Sequence, residues 1–356
     1  VIALVVGSGN AFNVVESHTD SPSFKVKGNC VITANGVTRV NTEKYGGGLL
    51  YSYFDRPMKI AGRLLTETPD GVESQLVLSD YNVVIPSLCI HHNPTANDGF
   101  QINPQTDTLP LLGLNASDVY FTLTTKRVLD ADLFVVPVTE AFRAGVDGEL
   151  LCSPRIDNLT SVYSSIAAIV DAKPDGIAVA ACLDNEEIGS GTRQGSPDFL
   201  HDVMDFVAEK LGIATDKYAE MRNNGMVLSV DNGHAVHPAH PEKYDPVAKV
   251  YMGKGVVVKH HVNYSTDGLT SALFKRVAEL ADVPVQDYYN NSAVRCGSTL
   301  GLVTSREIGM KTCDIGIAQL AMHSACETIA IADVDSMTKV LTAFMSSKLS
   351  GNKVSL

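Results

Sequence analysis

The stretch Ile177-Ala-Val-Ala-Ala-Cys-Leu183, followed at once by Asp184-Asn-Glu186-Glu187-Ile-Gly-Ser190, decides how this chain is read. Seven apolar residues in a row, without alternation, are the pattern of a strand buried on both faces, as in a parallel sheet. Two adjacent glutamates directly after such a strand stand where burial of an ionised group is costly without a partner. Glu-Glu is most often a solvated pair, and only its position gives it weight.

Outward from there, strands and helices alternate. Leu159–Ala172 has helical periodicity through Val162, Ile166, Ile169 and Val170. Pro197–Leu211 reads as a helix with proline near its start. Met226–Val230 and Cys313–Ile317 read as strands, Leu269, Leu273, Val277 and Leu280 form one helical face, and Asp335–Leu349 reads as a closing helix. Alternation of this kind implies an α/β fold with a mostly parallel sheet sandwiched by helices. Val1–Val6 and Phe12–Ser17 are short apolar strands that join the same sheet. Between them and residue 140 the signals are mostly β. Asn35-Gly36 between Val31–Ala34 and Val37–Val40 is a hairpin signature, and Met58–Leu65 with Val72–Leu78 flank a second turn at Pro69-Asp70-Gly71. The expected organisation is a discontinuous catalytic domain, residues 1–20 and 140–356, with a β-rich domain inserted at 21–139.

Composition narrows the function. The 356 residues are 45% hydrophobic and 19% charged, which supports a large core. The net charge of −12 disfavours nucleic acid and anionic membrane as partners. No apolar run reaches the roughly 18 residues of a spanning helix. The seven cysteines are scattered without a CxxC, which favours thiols of a reducing compartment over a disulfide framework. The chain opens at Val1 rather than Met, so a further N-terminal segment is expected.

No HExxH, GxGxxG, P-loop or GxSxG is present. What remains is a set of acids and histidines, most of them just past strands: His18-Thr-Asp20, Asp184-Asn-Glu186-Glu187 and Asp231, with Asp157-Asn158 opening the helix at Leu159. In an open α/β sheet the carboxyl ends of the strands share one edge, where ligands bind. Histidines and carboxylates without cysteine suit divalent zinc, cobalt or manganese in a hydrolytic site, and two such ions need a bridging carboxylate and a free one for the proton of the attacking water. Each residue also has an ordinary reading. Asp157 equally suits a helix N-cap, His18-x-Asp20 a surface pair, and His323 a core histidine. The conjunction carries more than any member.

Together, His18-Thr-Asp-Ser-Pro22, Tyr45-Gly-Gly-Gly48, Ser153-Pro-Arg-Ile-Asp-Asn158, Asp184-Asn-Glu-Glu-Ile-Gly-Ser190, Ser229-Val-Asp-Asn-Gly-His-Ala-Val-His-Pro238, Cys296-Gly-Ser-Thr299 and Gln319-Leu-Ala-Met-His-Ser324 resemble, in order, the motifs of the aspartyl aminopeptidases of peptidase family M18. The resemblance runs from about residue 10 to the C-terminus. It implies the zinc-aminopeptidase (phosphorylase/hydrolase-like) fold, with the inserted β-rich domain making the dimer contact. It implies two divalent metal ions per subunit, zinc, or cobalt or manganese. His18, Asp157 and Asp231 would hold one, and Asp157, Glu187 and His323 the other. Glu186 would be the general base, and Asp20 would fix the tautomer of His18 through a hydrogen bond to its far nitrogen. Lys259 would receive the side-chain carboxylate of a peptide's N-terminal Asp or Glu, with His234 and Tyr264 lining the pocket. A solvated strand-end lysine is the plainer reading of Lys259. His91, with His92 beside it as the alternative, would enter a neighbouring subunit's active site.

The family assembles dimers into a hollow dodecamer, takes peptides as substrates and works in the cytoplasm. Its members carry several tens of residues before the point where this chain begins, and a longer excursion where this one has Thr106–Ala131. Two other readings stand beside the leading one: a TET-type aminopeptidase of broader or neutral specificity, and a catalytically idle assembly protein.

Overall fold

A computed structural model describes residues 1–195 and 197–356. The chain divides into two compact units: Val1–Asp20, Phe142–Met322 and Glu327–Leu356 form the first, and Ser21–Ala141 with His323–Cys326 form the second.

The first unit is built on an eleven-stranded sheet. Its centre is parallel: Ile177–Leu183 pairs with Phe12–His18, which pairs with Met226–Val230, which pairs with Thr312–Leu320. Antiparallel strands lie outside this centre, among them Ile2–Val6 against Ile177–Leu183 and Val256–His260 against Thr312–Leu320. Every residue of Phe12–His18, Ile177–Leu183 and Met226–Val230 is buried. The period of two then sorts alternate side chains onto opposite faces. Val15, Ala178, Ala180, Leu228 and Val230 enter one core, with Phe274, Val340, Leu341 and Phe344. Phe12, Val14, Ile177, Val179, Ala181 and Val227 enter the other, with Leu200, Met204 and Leu300. A continuous apolar run is therefore what a strand covered twice requires.

The helix after residue 155 departs from its expected face. Ile166 and Val170 point outward, and the buried side is Ser161, Ser164, Ser165, Ala168 and Ile169. Small residues let this helix lie close against Ile331–Ser346, its packing neighbour. Asp157 and Asn158 have non-helical backbone angles, so the regular helix runs from Leu159. The closing helix spans Ile331–Ser346, starting a turn before its expected position.

The second unit is a six-stranded antiparallel sheet over its own core of Phe24, Val40, Met58, Ile60, Leu64, Leu133 and Val135. Both hairpins form, Ser23–Ala34 with Val37–Tyr45 and Met58–Thr68 with Gly71–Leu78. Asn35 (φ 54°) and Gly36 (φ 79°) supply the positive φ that the first turn needs. The sequence places the whole of 140–356 outside this unit. The structure adds His323–Cys326 to it, because His323 O accepts from Leu49 N (2.8 Å), Ala325 N donates to Ser52 Oγ (2.9 Å), and Ala325 joins the core. Among the described residues no helix is long and apolar enough to cross a membrane.

Candidate metal centre

The first unit gathers its acids where the parallel strands end. His18 is the last residue of Phe12–His18, and the pairing continues one step as Thr19 N donates to Leu183 O at 2.8 Å. Asp231 directly follows Met226–Val230, its N–H bound to Ile315 O at 2.9 Å. Asp157 sits in the turn before the helix, with its N–H on Glu327 Oε2 at 2.9 Å. All three are buried. The chain turns sharply after Leu183, with Asn185 at φ 61°, into a short helical turn at Glu186–Ile188.

The distances between donor atoms are informative. His18 Nε2 lies 3.4 Å from Asp157 Oδ1 and 3.4 Å from Asp231 Oδ1. A charge-assisted hydrogen bond is shorter, roughly 2.7–2.9 Å. Ligand atoms about 2.0–2.1 Å from a tetrahedral zinc stand about 3.4 Å from one another. The ligand atoms of His18, Asp157 and Asp231 lie within 4.8 Å of one another, as do those of His18, Glu186 and Glu187. A neutral imidazole nitrogen with carboxylate oxygens is a zinc-type donor set, so these residues fit the ion.

On the far side of the ring, His18 Nδ1 lies 3.0 Å from Asp20 O and 3.4 Å from Asp20 Oδ1. A proton on Nδ1 pointed at these acceptors leaves Nε2 with its lone pair toward Asp157 and Asp231. Asp20 also does something the sequence does not suggest. Its Oδ1 accepts the N–H of Glu186 (3.1 Å) and its Oδ2 the N–H of Glu187 (3.0 Å).

Electrostatics reflect the crowding of acids. Burial pulls the pKa of His18 down, but the carboxylates of Asp157, Asp20 and Asp231 around the ring outweigh it and hold the pKa well above its ordinary value. Burial, with the nearby charge of Asp231, pushes Glu186 up to about 7.

Lys259, on Val256–His260, is buried and places Nζ 3.3 Å from Asp231 Oδ2 and 5.6 Å from the centre of the Tyr264 ring. The structure thus makes Lys259 a buried neighbour of the acids rather than a solvated strand end. Tyr264 is half-buried, with Cys296 Sγ 3.3 Å from its hydroxyl. His234 is exposed, its ring edge-on to Tyr288 at 6.4 Å. His91 and His323 belong to the second unit. His91 and His92 are both exposed, and Cys89 Sγ lies 3.6 Å from His92 Nδ1. His323 has positive φ, with Nδ1 3.2 Å from Gly47 O.

The sequence singles out neither Asp333, which accepts from Gly253 N and Gly255 N, nor three other buried acids nearer the centre. Glu327 holds the Asp157 N–H, Glu16 accepts from Thr304 Oγ1 at 2.6 Å, and Asp314 accepts from Ser265 N at 2.7 Å. Asp314 and Glu16 lie within strand runs that read as core, and the one available signal was an acid at a position where burial needs partners.

A family model for aminopeptidase I zinc metalloproteases (M18) matches residues 1–345. The chain belongs to the M18 aminopeptidase family. It is accordingly a metalloaminopeptidase, a hydrolase of a zinc-dependent family. A probable M18 family aminopeptidase 2 from Clostridium acetobutylicum is 35% identical over 359 residues, covering 94% of this chain and 82% of that protein. Among solved structures, a chain of the cryo-EM structure of the Ape4 and Nbr1 complex is 30% identical with a TM-score of 0.89, over 97% of this chain and 74% of that one. The S. cerevisiae mApe1 dodecamer structure shares the fold, with a TM-score of 0.75 and 24% identity over 96% of this chain and 82% of that one.

Proposed function

We propose that this M18 aminopeptidase removes acidic residues, Asp and Glu, from the N-termini of peptides. The observation that supports it is Lys259: a buried ammonium 3.3 Å from Asp231, within a group of acids. A cation placed there is suited to a substrate carboxylate.

By the resemblance, His18, Asp157 and Asp231 would hold one zinc ion, and Asp157, Glu187 and His323 would hold a second. His323 enters this set through the resemblance of Gln319-Leu-Ala-Met-His-Ser324. Bound zinc supplies Lewis acidity at the scissile carbonyl and acidifies a water molecule. Glu186 would take the proton of the attacking water as its oxygen bonds to the carbonyl carbon. It then gives the proton to the departing amine as the C–N bond breaks, so the carboxylate is restored. A carboxyl held near neutrality is suited to both transfers. Asp20 fixes the orientation of His18 and of the Glu186–Glu187 turn. Lys259 takes the substrate's side-chain carboxylate, with Tyr264 and His234 beside it.

The dodecameric relative supports a homo-oligomer, in which the β-rich unit makes the dimer contact and His91 reaches a neighbouring copy. The seven free cysteines support a cytoplasmic setting.

The deciding experiment compares Glu-, Asp- and Leu-linked chromogenic amides, before and after chelation and zinc re-addition, in the parent and in Lys259→Ala. Chelator-sensitive turnover favouring Glu and Asp, with a selective loss on those substrates in Lys259→Ala, supports the proposal. Turnover favouring Leu would replace it with a broader specificity, and zinc binding without any turnover with an assembly role.

A further inference from the structure

Asp314 lies in Thr312–Leu320, inside the first unit, and is fully buried. Burial raises its pKa, while the hydroxyl of Thr299 and the charge of Lys259 pull against that rise. A carboxylate at a core position of a strand is costly wherever an apolar residue would serve, so its partners matter.

Those partners surround Lys259. The antiparallel register Val256–Ile317, Val257–Gly316, Val258–Ile315 ends one residue short of Lys259 and Asp314, and the charge of Lys259 acts on the Asp314 carboxylate. Asp314 Oδ2 accepts the N–H of Ser265 at 2.7 Å, and its own N–H donates to Thr266 Oγ1 at 2.8 Å. The turn that carries Tyr264 is therefore held at two successive residues, and the Tyr264 ring carries the Lys259 ammonium. Asp314 Oδ1 accepts from the hydroxyl of Thr299, the residue that caps the helix Leu300–Ile308. That helix comes in close: a Cβ on Gly301 would stand 2.5 Å from Asp314 Oδ1 and 2.9 Å from Ser265 Oγ. Asp314 thus ties together two segments beside a single lysine: its carboxylate holds Ser265 and Thr299, and its backbone N–H holds Thr266.

We propose that Asp314 is the positioning residue of the acid-selective pocket, holding the Tyr264–Thr266 turn and the Thr299 cap in place around Lys259, so that a charged substrate carboxylate is preferred over a neutral side chain of the same shape. The proposal rests on the reading of Lys259 given above. Asp314 touches neither substrate nor reacting atoms, and its effect is on recognition rather than on the bond-breaking step.

The test uses the zinc-loaded enzyme and a matched pair of substrates, Glu- and Gln-linked chromogenic amides, in the parent, Lys259→Ala, Asp314→Asn and Thr299→Val. Asn keeps the shape of Asp314 without its charge. Thr299→Val removes one hydrogen bond of the same network and covers the case in which Asp314→Asn does not fold. The expected result for Asp314→Asn is a fall in the Glu:Gln ratio of kcat/KM by about tenfold, carried by KM for the Glu substrate, with the Gln constants and zinc content within about twofold of the parent. Thr299→Val shifts the ratio in the same direction by a smaller factor. Equal losses on both substrates would make Asp314 a merely structural residue and overturn the proposal, as would an unchanged ratio in Asp314→Asn, or in Thr299→Val where Asp314→Asn is not folded. If Lys259→Ala collapses the ratio and the network variants do not, the pocket stands and the role of Asp314 falls. If the parent shows no preference for Glu, or Lys259→Ala leaves the preference intact, the reading of Lys259 itself fails and takes this proposal with it.

Discussion

The carboxylate of Asp20 reaches across to Glu186, 166 residues later, and accepts its backbone N–H at 3.1 Å. The other oxygen takes the N–H of Glu187 at 3.0 Å, while the backbone carbonyl of the same aspartate faces His18 Nδ1. One residue thus sets the ring of a metal-type histidine and the turn bearing two catalytic-type acids. Asp20→Asn turns an amide donor toward one of the two N–H groups and loosens the turn. Its kcat/KM is expected to fall about 10–100-fold, with zinc affinity falling by a similar factor. Steady-state kinetics and a chelator-competition titration check both. Full activity with unchanged zinc affinity would refute the clamp.

In the proposed reading the adjacent glutamates divide two jobs, and neutral isosteres separate them. Glu186→Gln is expected to lose about 10²–10⁴-fold in kcat with its zinc content retained. Glu187→Gln is expected to lose zinc at one position along with turnover. Metal analysis by mass spectrometry beside the kinetics distinguishes the two. Similar metal content in both variants would contradict the division.

Zinc uptake is expected to depend on pH through His18. In the metal-free chain its pKa is held well above the ordinary value by Asp157, Asp20 and Asp231 against the pull of burial. The shift favours the protonated ring in the metal-free chain, and that proton must leave before Nε2 can ligate. Apparent zinc affinity should rise about tenfold per pH unit for each proton displaced, from pH 6.5 to 7.5. Calorimetry in two buffers of different ionisation enthalpy counts the protons, and a pH-independent affinity would refute the argument.

Glu16 predicts a stability effect away from the chemistry. Burial, offset in part by the Thr304 hydroxyl, lifts its pKa from 4.5 to about 8. The folded state favours the protonated acid, so its contribution to stability is fully present below pH 4.5 and is lost as pH rises through about 8. Glu16→Gln keeps an oxygen for Thr304 and does not titrate. In the metal-free chain, the advantage of the variant over the parent in urea unfolding should grow by about 3 kcal/mol between pH 5.5 and 9. A constant difference would show that Glu16 stays ionised when buried.

Much of this centre is legible before any coordinates. Ile177–Leu183 and Met226–Val230 are apolar enough to be buried on both faces, so the acids just past them, with His18 and Asp20, have to meet at one edge. The helix after Asp157 was harder. Its exposed Ile166 and Val170 look like a core stripe, while the side that packs is mostly serine and alanine. Periodicity reads hydrophobicity, and close helix packing reads size. Asp314 and Glu16 were missed for a related reason: an acid inside a strand is silent until its partners, here Ser265 and Thr304, are brought to it from elsewhere in the chain. Asp20 was assigned to His18 alone because its second set of contacts is to backbone N–H groups, which leave no trace in residue types.

The order of the central strands has a further consequence, for timing. Phe12–His18 lies between Ile177–Leu183 and Met226–Val230, so the neighbours of the histidine-bearing strand are made long after it. On a chain leaving the ribosome, Asp231 follows His18 by 213 residues. Until then the histidine lacks one of the two carboxylates that face its Nε2. In the proposed reading, capture of an ion by His18, Asp157 and Asp231 together waits for a finished sheet.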